Sequence, residues 1–282
     1  MQDIKRLVIL GCGYVGQRVA QRWLEAGFQV TVTTTTPEKV PQLEPIASTV
    51  TVVRGDDPDR MQQLLADQDG VLVSIGAPNR QEYRGTYLAT AQTLAQVLPH
   101  TAIQQVIYTG SFAVYGNHGG HWVTEETAIA PTTDNNQILA DTEQCLLQMA
   151  RPDRSVCILR LGGIYGPNRE LLKIFRRVAG ATLDGDGHQP SNWVHIDDIV
   201  GAIAFAQQHQ LSGIYNLVQD TIISRRELLE RVCQTYNLPP VQWNPVVPSN
   251  RPHNVKVSNQ KIKTAGYRLI HPDFWLPIPS DA

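Results

Sequence analysis

Apolar positions along the first two thirds of the chain fall into two alternating patterns. Short runs rich in Val, Ile and Thr, at residues 6–10, 29–33, 50–53, 70–74, 106–109 and 156–159, read as strands. Longer stretches with apolar positions three and four apart, at residues 14–26, 59–66, 83–98 and 136–149, read as helices. The strand runs are nearly continuous in apolar or β-branched residues, which is the pattern of strands buried on both faces. Such alternation predicts an α/β fold, a doubly wound parallel sheet covered by helices on each side.

After about residue 160 the regularity falls away, and Pro167, Pro190, Pro239, Pro240, Pro245, Pro248 and Pro252 punctuate shorter elements. We therefore expect a main domain over residues 1–160 and a smaller substrate lobe over 161–282, interleaved with the first and returning late strands to the main sheet. Asp197 and Asp198 open an apolar helix, where carboxylates cap free amides and favour the positive dipole end. Ser224 with Glu227 has capping-box spacing, and Ser258 and Gly266 bracket a third helix.

Composition narrows the partners. The 282 residues carry 24 Lys and Arg against 26 Asp and Glu, a net charge of −2, so there is no basic surplus to hold a nucleic acid backbone. No apolar stretch approaches the roughly 20 residues needed to span a bilayer, and a membrane partner is not expected. Cys12, Cys145, Cys157 and Cys233 form neither a CxxC pair nor a short framework, which fits reduced thiols and a cytoplasmic location.

The first chemistry appears directly after the first strand. Gly11-Cys12-Gly13-Tyr14-Val15-Gly16 matches GxGxxG and opens the first helix, the context that gives this pattern its meaning. Gly11 permits a tight turn, Gly13 lets backbone approach a pyrophosphate, and Gly16 lets helix and strand pack closely, so the predicted fold is Rossmann-type with a dinucleotide cofactor. An NAD site of this kind usually carries Asp or Glu about 20 residues further on, for the ribose 2′-hydroxyl. Here that stretch reads Thr33-Thr34-Thr35-Thr36, and the first carboxylate is Glu38. Hydroxyls at Thr34 and Thr35, with Lys39 nearby, favour NADP, NAD being the second choice; ordinary β-propensity explains the threonines equally well. Asp56, after the third strand, either accepts from the adenine amino group or caps the next helix.

Further motifs carry a resemblance. These are Tyr108-Thr109-Gly110-Ser111-Phe112-Ala113-Val114-Tyr115-Gly116, Leu159-Arg160-Leu161-Gly162-Gly163-Ile164-Tyr165-Gly166-Pro167, Trp193-Val194-His195-Ile196-Asp197-Asp198 and Gly213-Ile214-Tyr215-Asn216-Leu217. Together with the glycine loop they resemble an extended or atypical short-chain dehydrogenase/reductase, the superfamily of NAD(P)-dependent nucleotide-sugar epimerases and dehydratases. The likeness implies that Ser111 hydrogen-bonds the reacting oxygen, and that Arg251 lies where such enzymes place an Arg on the substrate diphosphate; a surface Arg beside Pro252 is the plainer alternative.

One element of that family is missing. Its enzymes use a YxxxK pair in which Lys tunes the phenol for proton exchange. None of the nine tyrosines here has a Lys four residues later. Anchoring the helix on Glu143-Gln144 puts Asn135 in the Tyr slot and Leu139 in the Lys slot, and neither can do that chemistry. Tyr115 is the first substitute acid, although a tyrosine in a VYG turn also reads as packing; His118, His121 and His195 stand behind it. His118 and His121, separated by Gly119 and Gly120, read as a flexible loop, and no metal site is expected.

Two functions fit. One is an NADP-linked oxidoreductase or epimerase acting on a small-molecule substrate such as a nucleotide sugar, with atypical acid/base residues and slow turnover. The other is a non-catalytic NADP-binding sensor or regulatory module. A homodimer is compatible with either.

Overall fold

The computed structural model describes residues 5–274 and Leu276. In chain order the strands are β1 (Arg6–Leu10), β2 (Gln29–Thr34), β3 (Thr49–Val52), β4 (Gly70–Val73), β5 (Gln105–Ser111), β6 (Asn117–Val123), β7 (Ser155–Leu161), β8 (Gly163–Tyr165), β9 (Thr182–Asp184), β10 (Pro190–Ser191), β11 (Trp193–His195), β12 (Gly213–Leu217), β13 (Ile223–Ser224), β14 (Gln242–Asn244) and β15 (Asn254–Val257). The helices are α1 (Tyr14–Glu25), α2 (Val40–Leu43), α3 (Pro58–Leu65), α4 (Ala89–Val97), α5 (Asp134–Leu147), α6 (Leu171–Phe175), α7 (Ile196–Gln208), α8 (Arg225–Thr235) and α9 (Gln260–Thr264).

Seven strands form the main sheet in the order β12-β7-β5-β4-β1-β2-β3, with parallel β1–β2, β1–β4, β2–β3 and β4–β5 pairs. All four residues of β4, and all of β1 after Arg6, are buried, as the continuous apolar runs require. One face packs Val8, Leu10, Val71, Val73, Val106 and Ile158 against Met61 and Leu65 of α3 and Leu94 of α4. The strand order reverses between β1 and β4, so a crevice opens beyond their carboxyl ends; in doubly wound sheets this is where ligands bind.

The chain divides into two compact units, Met1–Ser111 with Thr133–Arg160 and Val200–Tyr215, and Phe112–Thr132 with Leu161–Ile199 and Asn216–Ala282. The second unit holds the pairs β6–β15, β8–β11, β9–β14 and β10–β13 around two small cores. One core contains Phe112, Tyr115, Val123, Val218, Val255 and Val257; the other contains Tyr165, Leu171, Ile223, Leu228 and Val232.

Three local features differ from the sequence reading. His118 to His121, expected as a flexible loop, lie within strand β6, which pairs with β15 with a register irregularity between Asn254 and Lys256. Gly119 and Gly120 take left-handed φ values of 63° and 77°, which lets the strand bend where a side chain would be strained. The helix expected from residue 83 begins instead as a π-turn over Arg84–Leu88 before continuing as α4. Asp198 is fully buried, and its carboxylate accepts from the Ile270 and His271 amides at 2.6 and 3.0 Å and from the Tyr267 hydroxyl at 3.3 Å. It therefore anchors the C-terminal segment rather than serving only the first turn of α7.

Candidate functional site

The glycine loop is tied down from both sides. The Gly11 amide donates to Thr33 Oγ1 at 3.0 Å and the Cys12 amide to the Thr33 carbonyl at 3.0 Å. Gly11 has φ +86°, and a Cβ there would lie 2.7 Å from the Ser74 carbonyl, so only glycine lets β1 turn this close to the end of β4. A Cβ on Gly16 would lie 2.6 Å from the Gly11 carbonyl, which makes Gly16 the contact that lets α1 approach the loop. Gly13 is different: nothing lies within 4 Å of the position its Cβ would take. Gly13 is itself the N-cap of α1, which has no side-chain cap and no acidic residue in its first turn. These residues fit a pyrophosphate, for which an uncapped helix start supplies amide donors and the positive dipole end. Cys12 and Val15 are buried, and burial pushes the Cys12 thiol up to about 12, so it is an inert packing group. Tyr14, half-buried, carries the Arg18 guanidinium 4.3 Å above its ring.

The threonine run separates into distinct roles. Thr33 holds the glycine loop, while Thr34 is buried and its hydroxyl accepts from the Thr36 amide at 3.1 Å, closing a local turn. Thr35 is exposed beside it. On the adjacent strand the Val53 amide donates to the Thr34 carbonyl at 3.0 Å, and Arg54 is the next residue. Arg54 pairs in a fork with Asp56, Nε to Oδ1 at 3.0 Å and Nη2 to Oδ2 at 2.9 Å, and this hydrogen-bonded pairing holds the Asp56 carboxyl below its ordinary range. Asp56 does not cap the following helix; Asp57 does, accepting from the Arg60 amide at 3.1 Å.

Ser111 is the last residue of β5, at the same carboxyl edge of the sheet as the glycine loop. On α5, Leu139 is buried and Asn135 half-buried. Glu143 and Arg160, 2% and 3% exposed, form a buried pair in which Glu143 Oε2 accepts from Arg160 Nε at 3.0 Å and Nη2 at 2.8 Å. Burial nonetheless pushes the Glu143 carboxyl up against the pull of Arg160. Tyr115 lies in the second unit, fully buried, and donates its hydroxyl to Asn216 Oδ1 at 2.8 Å. The Asn216 amide in turn donates to Glu125 Oε1 at 2.7 Å. A phenol so enclosed serves packing and strand alignment; it offers no open hydroxyl for the proton exchange expected of it.

The histidines are also placed. His195 is buried and its Nδ1 accepts from the Asp197 amide at 3.2 Å, with the His271 ring tilted against it at 42°, centroids 3.8 Å apart. His271 Nε2 lies 3.0 Å from Asp197 Oδ2. His121 is exposed on β6.

Arg251 and His253 form the second chemically unusual place. The Arg251 guanidinium is pushed down to about 10, by burial first and then by Arg225, and no ion pair reaches it among the described residues. Its Nη2 lies 3.1 Å from His253 Nε2, and His253 is pushed down to about 4 by burial and by Arg251, which keeps it neutral and makes Nε2 the acceptor. Arg251 Nη1 and His253 Nδ1 are then buried donor atoms without hydrogen-bond partners among the described residues. In the same unit a cavity of about 550 Å³ is lined by Asp186, His188, Gln189, Ser249, Asn254 and Lys256 among others. The depressed His253 has a stability consequence. Between pH 6.5 and about 4 the unfolded chain takes up a proton that the folded chain refuses, so stability present above pH 6.5 is lost as the pH falls through this window. His253→Gln should reduce this acid loss by about 2–3 kcal/mol at most, seen in urea titrations at pH 7 and 4.5; an unchanged difference would count against a buried neutral His253.

The sequence motifs did not point to Arg54, His253 or the half-buried phenols Tyr83 and Tyr87 that follow β4. Each acquires its setting from a neighbouring element, and only Arg54, two residues before a noted acid, left a local signal.

The model of the NAD dependent epimerase/dehydratase family matches residues 7–217. The chain is 30% identical over 246 residues to Protein YeeZ of Escherichia coli K12, covering 85% of this chain and 87% of that protein. A functionally unknown conserved protein from Silicibacter pomeroyi superposes with a TM-score of 0.76 at 24% identity, covering 95% of each chain. A Thermus thermophilus UDP-glucose 4-epimerase, in complex with NAD, superposes with a TM-score of 0.77 at 20% identity over 94% of each chain.

Proposed function

Because the chain belongs to the NAD dependent epimerase/dehydratase family, we propose that it is a dinucleotide-dependent oxidoreductase or epimerase whose small-molecule substrate carries a phosphate or diphosphate, as a nucleotide sugar does. The observation that carries this reading is the Arg251–His253 pair, which presents buried donor atoms and, among the described residues, no counter-ion. A partly buried cation and a buried donor atom without a partner carry a desolvation cost, and an anionic ligand relieves both. The UDP-glucose substrate in the name of the Thermus thermophilus epimerase is of that class. When bound, the nicotinamide group supplies or accepts a hydride. Gly11, Gly13 and the start of α1 would hold the pyrophosphate, and Ser111 would orient the reacting oxygen.

The phosphorylated dinucleotide is the better fit. No carboxylate stands at residues 33–36, Thr35 is exposed, and Arg54, which would have to leave Asp56 to meet a 2′-phosphate, follows the residue whose amide bonds the Thr34 carbonyl. Lys39 follows on the same loop, and Asp56 is already occupied by Arg54.

Calorimetric titrations test both halves. NADP⁺ should bind more tightly than NAD⁺, and Arg54→Ala should weaken NADP⁺ by about 10-fold to 100-fold while leaving NAD⁺ unchanged. UDP, used as a diphosphate probe, should bind the parent and lose at least about tenfold with Arg251→Met. Equal or tighter NAD⁺ binding removes the NADP assignment, and UDP binding indifferent to Arg251 removes the anion site. The sensor reading draws on Leu139, which buries an apolar side chain where the family's Lys would act. It predicts the same NADP⁺ affinity with no turnover of any carbonyl.

A further inference from the structure

We propose that Tyr87 is the proton donor of this protein, delivering its hydroxyl proton to the substrate oxygen oriented by Ser111. This rests on the dinucleotide-dependent reading above and assigns that site its missing acid.

Position comes first. The crevice of the main sheet opens where the strand order reverses between β1 and β4. The segment that follows β4 forms its wall, since Ser74 and Ile75 lie against Gly11. Tyr87 reaches this wall from the helix: its hydroxyl accepts from the Ala77 amide at 3.4 Å. Ser111 ends the neighbouring strand. Two residues before it, Thr109 Oγ1 donates within 3.3 Å of the Val73 carbonyl and lies 3.4 Å from Ser74 Oγ, which keeps the ends of β4 and β5 together. Ser111, at the end of β5, and the Ala77 segment that Tyr87 touches thus both lie beyond the carboxyl ends of neighbouring strands, on one edge of the sheet.

The hydroxyl is also in the right state. It accepts a hydrogen bond, so its own proton is not used in that bond, and no acceptor for it is found among the described residues. Burial pushes the phenol up while the Ala77 amide pulls it down, and burial is the larger effect. Tyr83, one turn earlier, adds to the rise, and Tyr108 faces both phenols and Glu143 from the sheet. The group is therefore a protonated donor near neutral pH rather than a phenolate base.

The ring is held rigidly. It packs against the sheet-face core and tilts on Tyr83 with centroids 5.1 Å apart, and the residue as a whole is half-buried. The π-turn over Arg84–Leu88 contains Tyr87 and rotates it relative to a regular helix. Such widened turns recur at functional sites because they redirect one side chain without ending the helix.

The step balances. As the carbonyl carbon gains a hydride from a reduced dihydronicotinamide, which is oxidised by two electrons, the C=O π pair moves to oxygen. The Oη–H bond of Tyr87 breaks, an O–H bond forms on the substrate, and the phenolate recovers a proton from water.

The test uses the full chain, NADPH and the diketone benzil as probe. Tyr87→Phe should lower kcat by about 10²-fold to 10⁴-fold, the range of general acid catalysis, with the NADP⁺ dissociation constant from calorimetry unchanged. In parallel, NADP⁺ should shift the near-ultraviolet titration of one phenol in the parent, and that phenol should be absent from Tyr87→Phe. A parent-like kcat in Tyr87→Phe, or persistence of the shifted phenol there, overturns the proposal. A parent that binds NADP⁺ but reduces no benzil overturns it as well, leaving the binding site standing. A parent that binds no dinucleotide ends the cofactor reading and this inference together.

Discussion

Arg160→Leu should lower the free energy of unfolding by about 3–5 kcal/mol, the cost of stranding a buried charge. Glu143, on α5, is 2% exposed and takes both of its short charged contacts from Arg160, on β7. With the guanidinium gone, its carboxyl, already pushed up by burial, either protonates in place or drags water inward. Tyr108, fully buried, has its hydroxyl raised by burial and by the Glu143 charge, so the loss would spread along β5. The double change Glu143→Leu with Arg160→Leu should recover most of the loss, because an apolar pair of similar volume needs no partner. Urea denaturation of the three variants measures this. A single-variant loss below about 1 kcal/mol would mean that the pair is not the fastening between α5 and the sheet.

Gly13→Val and Gly16→Val should fail in opposite ways. The space above Gly13 is empty, so valine enters it without meeting protein atoms and fills the volume where a pyrophosphate would approach. NADP⁺ affinity should fall by more than about 100-fold, the loss of two or more charge-assisted hydrogen bonds, while far-ultraviolet circular dichroism stays unchanged. At Gly16 the same side chain would collide with the Gly11 carbonyl, 2.6 Å from the new Cβ, and must push α1 away from the loop. That variant should lose both folded signal and ligand. Retained NADP⁺ binding in Gly13→Val would take this loop out of the site.

The sheet was legible because its central strands are buried on both faces. Val8, Leu72 and Ile107 sit in runs whose apolar continuity needs no tertiary information to interpret. The glycine loop was legible too, since its residue types answer to local geometry at Gly11 and Gly16. What escaped was whatever depended on a distant partner. Asp198 looks like a helix cap until the segment around Ile270 and His271 arrives, more than 70 residues later, to occupy its carboxylate. Thr34 and Thr35 are identical letters, but only one turns its hydroxyl into the Thr36 turn. His118 to His121 read as a loop because the strand partner of β6, β15, lies over 130 positions away. The π-turn at Arg84–Leu88 leaves the heptad-scale apolar pattern almost unchanged, so periodicity read it as ordinary helix.

The division into two units, each made of three separated stretches of chain, sets the order in which the protein can complete itself during synthesis. The first unit needs Val200–Tyr215 and so cannot close when residue 160 leaves the ribosome. Until β12 arrives, β7 presents an unpaired edge of apolar residues to solvent. Such edges invite pairing with other chains, so a nascent chain halted between β7 and β12 is the form most in need of a chaperone. For the same reason neither unit can be cut out or exchanged as a contiguous cassette, and changes of substrate preference in this architecture have to be made residue by residue in place.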